Sequence, residues 1–148
     1  MNRALNASKA LLALLLLSLF SAAAPALAPG SDMRGWRGQA YAGGHTVITG
    51  TELQAMMKDA KGLVIVDVRE PELYSKGHVP GSINIPYDTA KPRIIKELNR
   101  KDTIVFICHG GPMGDELGEV LTKNGYEKVY NVKGGMNRWT GPVVAGAK

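Results

Sequence analysis

One cysteine, Cys108, is all that this 148-residue chain has. No internal disulfide can therefore staple the fold, and no Cys-x-x-Cys spacing marks a zinc site or a redox pair. The three histidines are dispersed, so the residues imply neither a metal centre nor an organic cofactor. The basic excess is small and scattered, which leaves nucleic acid and membrane surfaces little to bind. No segment repeats, and no uninterrupted apolar run reaches the ~20 residues of a membrane span. What remains has the composition of an ordinary globular protein, and one domain is expected at this length.

The first 28 residues stand apart. Met1 to Lys9 carries Arg3 and Lys9 and no acid, Ala10 to Phe20 is apolar apart from Ser18, and Ser21 to Ala28 is rich in alanine. This is the charged, apolar and small-residue order of a secretory signal peptide. Export to the periplasm is expected, with cleavage between Ala23 and Ala28 and no stable membrane insertion afterwards. Without that leader the formal charge falls from +5 to +3. Residues 29–45 are glycine-rich without apolar periodicity and read as a flexible arm.

Cys108 lies between two recognisable elements. The β-branched run Thr103 to Ile107 reads as a buried strand of a parallel sheet, and Asp115 to Asn124 as a helix. The cysteine thus belongs to a turn from a strand's carboxyl end into a helix start. Unpaired N–H groups there carry partial positive charge, and such an environment favours the nucleophilic thiolate form of a cysteine. Gly110, Gly111 and Gly114 let the backbone approach closely. The competing reading is a buried cysteine that merely packs. Three glycines beside it, at the sheet edge where open α/β folds bind ligands, favour a reactive thiol in a backbone cradle formed by His109, Gly110, Gly111, Pro112, Met113 and Gly114.

Thr46 to Ile48 is a strand, and Thr49 to Glu52 has capping-box spacing before a helix with Leu53, Met56 and Met57 inward. Leu63 to Val68 is a second buried strand, delivering Asp67, Arg69 and Glu70 to the edge where Cys108 lies. Asp67 and Arg69 either serve the site or satisfy loop backbone and each other. Pro71 to Lys76 suits a short helix, Ile83 to Ile85 a strand, Lys91 to Asn99 a helix with Pro92 near its start, and Lys128 to Val132 a strand. Gly134-Gly135 opens a short helix with Trp139, and the tail over 141–148 is expected to be loose. Strands alternating with helices over 46–140 describe an α/β domain with a mostly parallel sheet.

Asp67-Val68-Arg69-Glu70, the run from Gly77 to Pro86, the strand-end cysteine, Asn124-Gly125-Tyr126 and the segment Gly134 to Trp139 together resemble the single-domain rhodaneses, in particular the small exported sulfurtransferases of bacteria. The resemblance runs from Thr46 to Trp139 in order and spacing. It implies a rhodanese-like domain with a five-stranded, mostly parallel sheet flanked by helices. It also implies that Cys108 cycles between thiolate and persulfide, taking sulfur from thiosulfate or another sulfane donor and passing it to cyanide or a thiol. The partners implied are a small sulfur-containing anion or thiol, or a protein sulfur acceptor.

Active rhodaneses commonly carry an arginine five residues after the cysteine and a Ser or Thr next to it; here those positions are Met113 and Gly114. Without a guanidinium to grip an oxyanion, a persulfide or polysulfide donor becomes more credible than thiosulfate. Cysteine phosphatases need an arginine six residues after the cysteine, where this chain has Gly114, so phosphoryl chemistry is disfavoured. The same departures motivate a second reading, a rhodanese fold used for binding or as a sulfur carrier.

Overall fold

The computed structural model describes residues 38–59 and 61–146. The expected leader and the first part of the expected arm, 29–37, lie outside the described residues. In chain order the elements are β1 (Gln39–Ala40), β2 (Thr46–Ile48), α1 (Gly50–Asp59), β3 (Leu63–Asp67), α2 (Pro71–Lys76), β4 (Ile83–Asn84), α3 (Tyr87–Glu97), β5 (Thr103–Ile107), α4 (Pro112–Lys123) and β6 (Val129–Val132). A 3-10 turn over Gly135–Arg138 follows.

The strands form one sheet in the order β1-β2-β6-β5-β3-β4. All neighbours are parallel except β1, which pairs antiparallel with β2. The sheet is therefore mixed and has six strands among the described residues, not the five that the resemblance implied. The extra strand comes from the end of the glycine-rich stretch taken as arm: Gln39 and Ala40 pair with Val47 and Thr46. Both are exposed, so no buried alternation marks them in the sequence.

Right-handed crossovers assign the faces. The connections through α1 and α2 run one way across the sheet, and those through α3 and α4 run back. The two pairs of helices consequently cover opposite faces. On the α3/α4 face one core gathers Val66, Val68, Phe106, Cys108, Ile94, Leu117 and Leu121. Strand β5 lies between β3 and β6 and is buried along its whole length, as its unbroken apolar run requires.

Local chemistry explains most boundaries. The capping box at α1 forms as spaced: Thr49 N–H donates to Glu52 Oε2 at 2.7 Å and Glu52 N–H to Thr49 Oγ1 at 3.2 Å. Helix α3 starts a turn before Lys91, so Pro92 stands inside it rather than near its start. A proline there leaves the Asp88 carbonyl without its helical donor, which is tolerable because both residues are exposed to water.

The tail is tied down over its described part, unlike the loose end expected. Val144 and His78 exchange two backbone hydrogen bonds of 2.9 Å, and Gly146 N–H donates to the Ser75 carbonyl at 2.8 Å. His78 itself is buried, stacked on Tyr74 with ring centroids 3.7 Å apart, its Nδ1–H donating to the Tyr74 carbonyl at 2.8 Å.

Candidate active site

Helix α4 begins at Pro112, three residues earlier than its apolar pattern indicates. Proline at a first helical position loses nothing, because that N–H has no partner in any helix. The predicted cradle is thereby divided: His109, Gly110 and Gly111 form the turn, while Pro112, Met113 and Gly114 belong to the first helical turn. Cys108 is 1% exposed, and its Sγ accepts a hydrogen bond from Gly111 N–H at 2.9 Å. Among the described residues this is the only hydrogen bond to the sulfur, so one N–H reaches it where the sequence suggested several. Gly111 is the N-cap of α4, and its φ of +124° is open to glycine and strained for any other residue. The sulfur therefore faces the positive end of a helix through a fixed N–H.

The floor of the turn is made by the two glycines after β6. Cys108 carbonyl accepts from Met136 N–H at 2.7 Å, and His109 carbonyl from Asn137 N–H at 2.9 Å. A Cβ on Gly135 would stand 2.2 Å from the Cys108 carbonyl oxygen. The close approach of these two backbones is what the glycine at 135 permits.

Asp67 and Arg69 are brought together, but not to the cysteine. Arg69 is bidentate on Asp67 (Nη2 to Oδ2 2.6 Å, Nε to Oδ1 3.0 Å) and also donates to the Gly77 carbonyl at 2.8 Å. Register gives the reason: Asp67 pairs with Ile107, so it points to the face opposite Phe106 and Cys108. The ion pair locks the β3–α2 turn to the start of the Gly77–Ser82 segment. Glu70, one residue on, is the member of that cluster that reaches the loop, accepting from His109 Nε2–H at 2.9 Å. Its carboxyl is held below the usual 4.5, first by a backbone N–H bond at its own residue and then by the His109 bond. His109 is thus committed to an acid on the exposed side of the turn.

Met113 is half-buried and packs, with Tyr87, against the apolar cluster that includes Cys108. Tyr87 hydroxyl donates to Glu116, which also accepts from Lys91 Nζ at 2.5 Å. The bond to Glu116, and after it burial, raise the Tyr87 phenol above its ordinary value, with the Lys91 charge opposing them.

The residues that sequence reasoning missed lie beneath the turn. Asn131 Nδ2 donates to the Gly111 carbonyl at 2.8 Å and to Asp115 Oδ1 at 2.7 Å; His45 Nε2–H donates to the same Asp115 oxygen at 3.0 Å. Asn131 and His45 are each 1% exposed. Space for them is cut into α4: a Cβ on Gly114 would lie 2.0 Å from Asn131 Oδ1, and one on Gly118 would lie 2.8 Å from His45 Cγ. Two glycines one helical turn apart were the available signal, since a helix interior tolerates glycine only at a cost. No group of three His, Cys, Asp or Glu side chains suited to a metal ion occurs among the described residues.

Comparison with known proteins follows the same lines. A profile of the rhodanese-like domain matches residues 49–142. YrkF of Bacillus subtilis, provisionally named a sulfur carrier protein, is 43% identical over 81 residues, which cover 55% of this chain and 43% of YrkF. The chain therefore spans less than half the length of that relative. The thiosulfate sulfurtransferase PspE of Escherichia coli is 38% identical over 82 residues, covering 55% of this chain and 78% of PspE. Among solved structures, a rhodanese with anions from E. coli superposes with a TM-score of 0.50 at 34% identity, covering 57% of this chain and 99% of that one.

Proposed function

The chain belongs to the rhodanese-like domain family, and from that membership we propose that it is an exported sulfurtransferase working through a persulfide on Cys108. The observation that carries the reading is the placement of Cys108 Sγ at the carboxyl end of β5, 2.9 Å from the N–H of the residue that caps α4. A sulfur so placed has a ready donor for the negative charge of a thiolate, and of a persulfide after transfer.

The steps balance without a cofactor. The Cys108 thiolate attacks the outer sulfur of a sulfane donor, an Sγ–S bond forms, and the donor's S–S bond breaks. The leaving group departs with the electron pair, as sulfite from thiosulfate or as a thiolate from an organic persulfide. Cyanide or a thiolate then attacks the outer sulfur of the persulfide, and the cysteine thiolate leaves. Thiocyanate or a new persulfide is the product.

The donor is a persulfide or polysulfide rather than thiosulfate in this reading. The segment His109 to Gly114 holds no Lys or Arg, His109 is bonded to Glu70, and the Arg69 guanidinium is spent on Asp67 and Gly77. A dianion finds no bidentate partner among these groups and meets the Glu70 carboxylate, whereas a persulfide needs mainly a route to the buried sulfur.

The likeness to YrkF favours a second reading, a sulfur carrier that forms the same persulfide but transfers slowly to small acceptors. Intact-protein mass tests both, and on chain recovered from the periplasm it also reads the N-terminus left by cleavage between Ala23 and Ala28. The expected result is a gain of one sulfur with polysulfide that requires Cys108, is absent in Cys108→Ser and reverses with cyanide. Slow reversal identifies the carrier, and no gain from a reduced thiol with either polysulfide or thiosulfate overturns the sulfur chemistry.

A further inference from the structure

Gly111 is the residue on which the site turns, and it is the residue least able to hold itself. Its N–H meets Sγ, yet with no side chain and a φ of +124° nothing intrinsic keeps it there. What holds it lies on its other side. The Gly111 carbonyl accepts the first helical bond of α4, from Asp115 N–H at 3.1 Å, and a second from Asn131 Nδ2 at 2.8 Å.

The carboxamide cannot turn away, because its second N–H is held at 2.7 Å by Asp115 Oδ1, and that carboxylate is held in turn by His45. The two ends of this chain of contacts are buried but not self-satisfied: Asn131 Oδ1 and His45 Nδ1 have no hydrogen-bond partner. A buried unpaired acceptor costs stability, and an apolar residue at 131 would avoid it. Asn131 therefore does something here that packing alone does not require, and the group it grips is the carbonyl of the glycine that faces the nucleophile.

We propose that Asn131 is a positioning residue for Cys108, braced by Asp115 and His45, and that it acts by anchoring the Gly111 carbonyl, which restrains the φ and ψ of Gly111 so that the N–H on the other side of its Cα points at the sulfur. The effect on sulfur transfer rests on the persulfide reading above; the effect on Gly111 does not. Misaligning a single backbone donor to a reacting atom costs less than the ~100-fold or more seen when such a donor is deleted, so a fall of about tenfold in kcat is expected.

Asn131→Ala and Asp115→Asn, made in the full chain, separate positioning from cohesion. Asn131→Ala removes the donor to Gly111. It is expected to lower kcat with a polysulfide donor and cyanide about tenfold, with KM changed less than about threefold. In the reduced, nitrogen-labelled protein the Gly111 amide proton should move upfield as its bond to Sγ lengthens. Asp115→Asn keeps that donor and weakens the brace, so it should lower the melting temperature and move kcat and the Gly111 resonance in the same direction, but by clearly less than Asn131→Ala does.

If Asn131→Ala does not fold, Asn131→Leu, close to the carboxamide in volume and unable to donate, removes the bond to Gly111 without adding a charge; the same losses are expected. An unmoved Gly111 resonance in the variants lacking the donor overturns the proposal. So does a loss in Asp115→Asn as large as in Asn131→Ala. A wild-type protein that forms no persulfide overturns the sulfurtransferase reading instead, and the resonance still decides the role of Asn131.

Discussion

Gly114→Ala is the substitution in which two ordinary expectations have opposite signs. Gly114 sits in the first turn of α4, and replacing a helical glycine by alanine normally stabilises by up to about 1 kcal/mol. Here the new Cβ would be 2.0 Å from Asn131 Oδ1 and 2.6 Å from its Cγ. The carboxamide has to swing away, breaking its bonds to Gly111 and Asp115. A neutral bond contributes about 1 kcal/mol and one to a carboxylate about 2, so after the helix gain the net loss is about 2 kcal/mol. For a domain of this size that lowers the melting temperature by about 10 °C. Urea unfolding followed by circular dichroism should show a lower midpoint with an unchanged slope. A midpoint equal to or above wild type would refute the reasoning, because it would mean that Asn131 is not locked where the structure puts it.

Two further outcomes follow from charges at the surface. Glu70→Gln removes an exposed negative charge beside the Cys108 turn, and with it a repulsion of dianionic donors that water and salt already weaken. The KM for thiosulfate should fall about two- to threefold while that for an uncharged organic trisulfide donor stays put, and steady-state kinetics with the two donors checks it. The carboxyls of Glu70, Glu97 and Glu116 are all held below 4.5, Glu97 by Arg93 and Glu116 first by Lys91 and then by Tyr87. Their folded values lie below their unfolded ones, so the stability they contribute is present above pH ~4.5 and is lost as pH falls through the lower folded values. The urea midpoint should decline from pH 5 to pH 3, less so in Glu97→Gln; a flat profile would remove these pairs from the account.

The sequence alone determined the elements whose burial follows a period. The unbroken apolar run of β5, the capping box before α1 and the 3.6-residue pattern of α4 are one-dimensional signals, and they were enough to put the only cysteine at a strand end before a helix. The motif from Gly134 to Trp139 also pointed to the family before any contact was known. Contacts with no local pattern were decided by the tertiary structure. The exposed strand β1 and the tied tail depend on backbone partners elsewhere in the chain. Strand position puts Asp67 at the edge where Cys108 lies and leaves open whether it serves the site or pairs with Arg69; register against β5 decides its face, and there it pairs with Arg69. His45, Asp115 and Asn131 meet beneath Gly111 from segments up to 86 residues apart, since Asn131 and His45 sit on either side of the β2–β6 pairing and α4 crosses above them. In the sequence their only trace is a pair of glycines in a helix, which record that something must fit there without saying what.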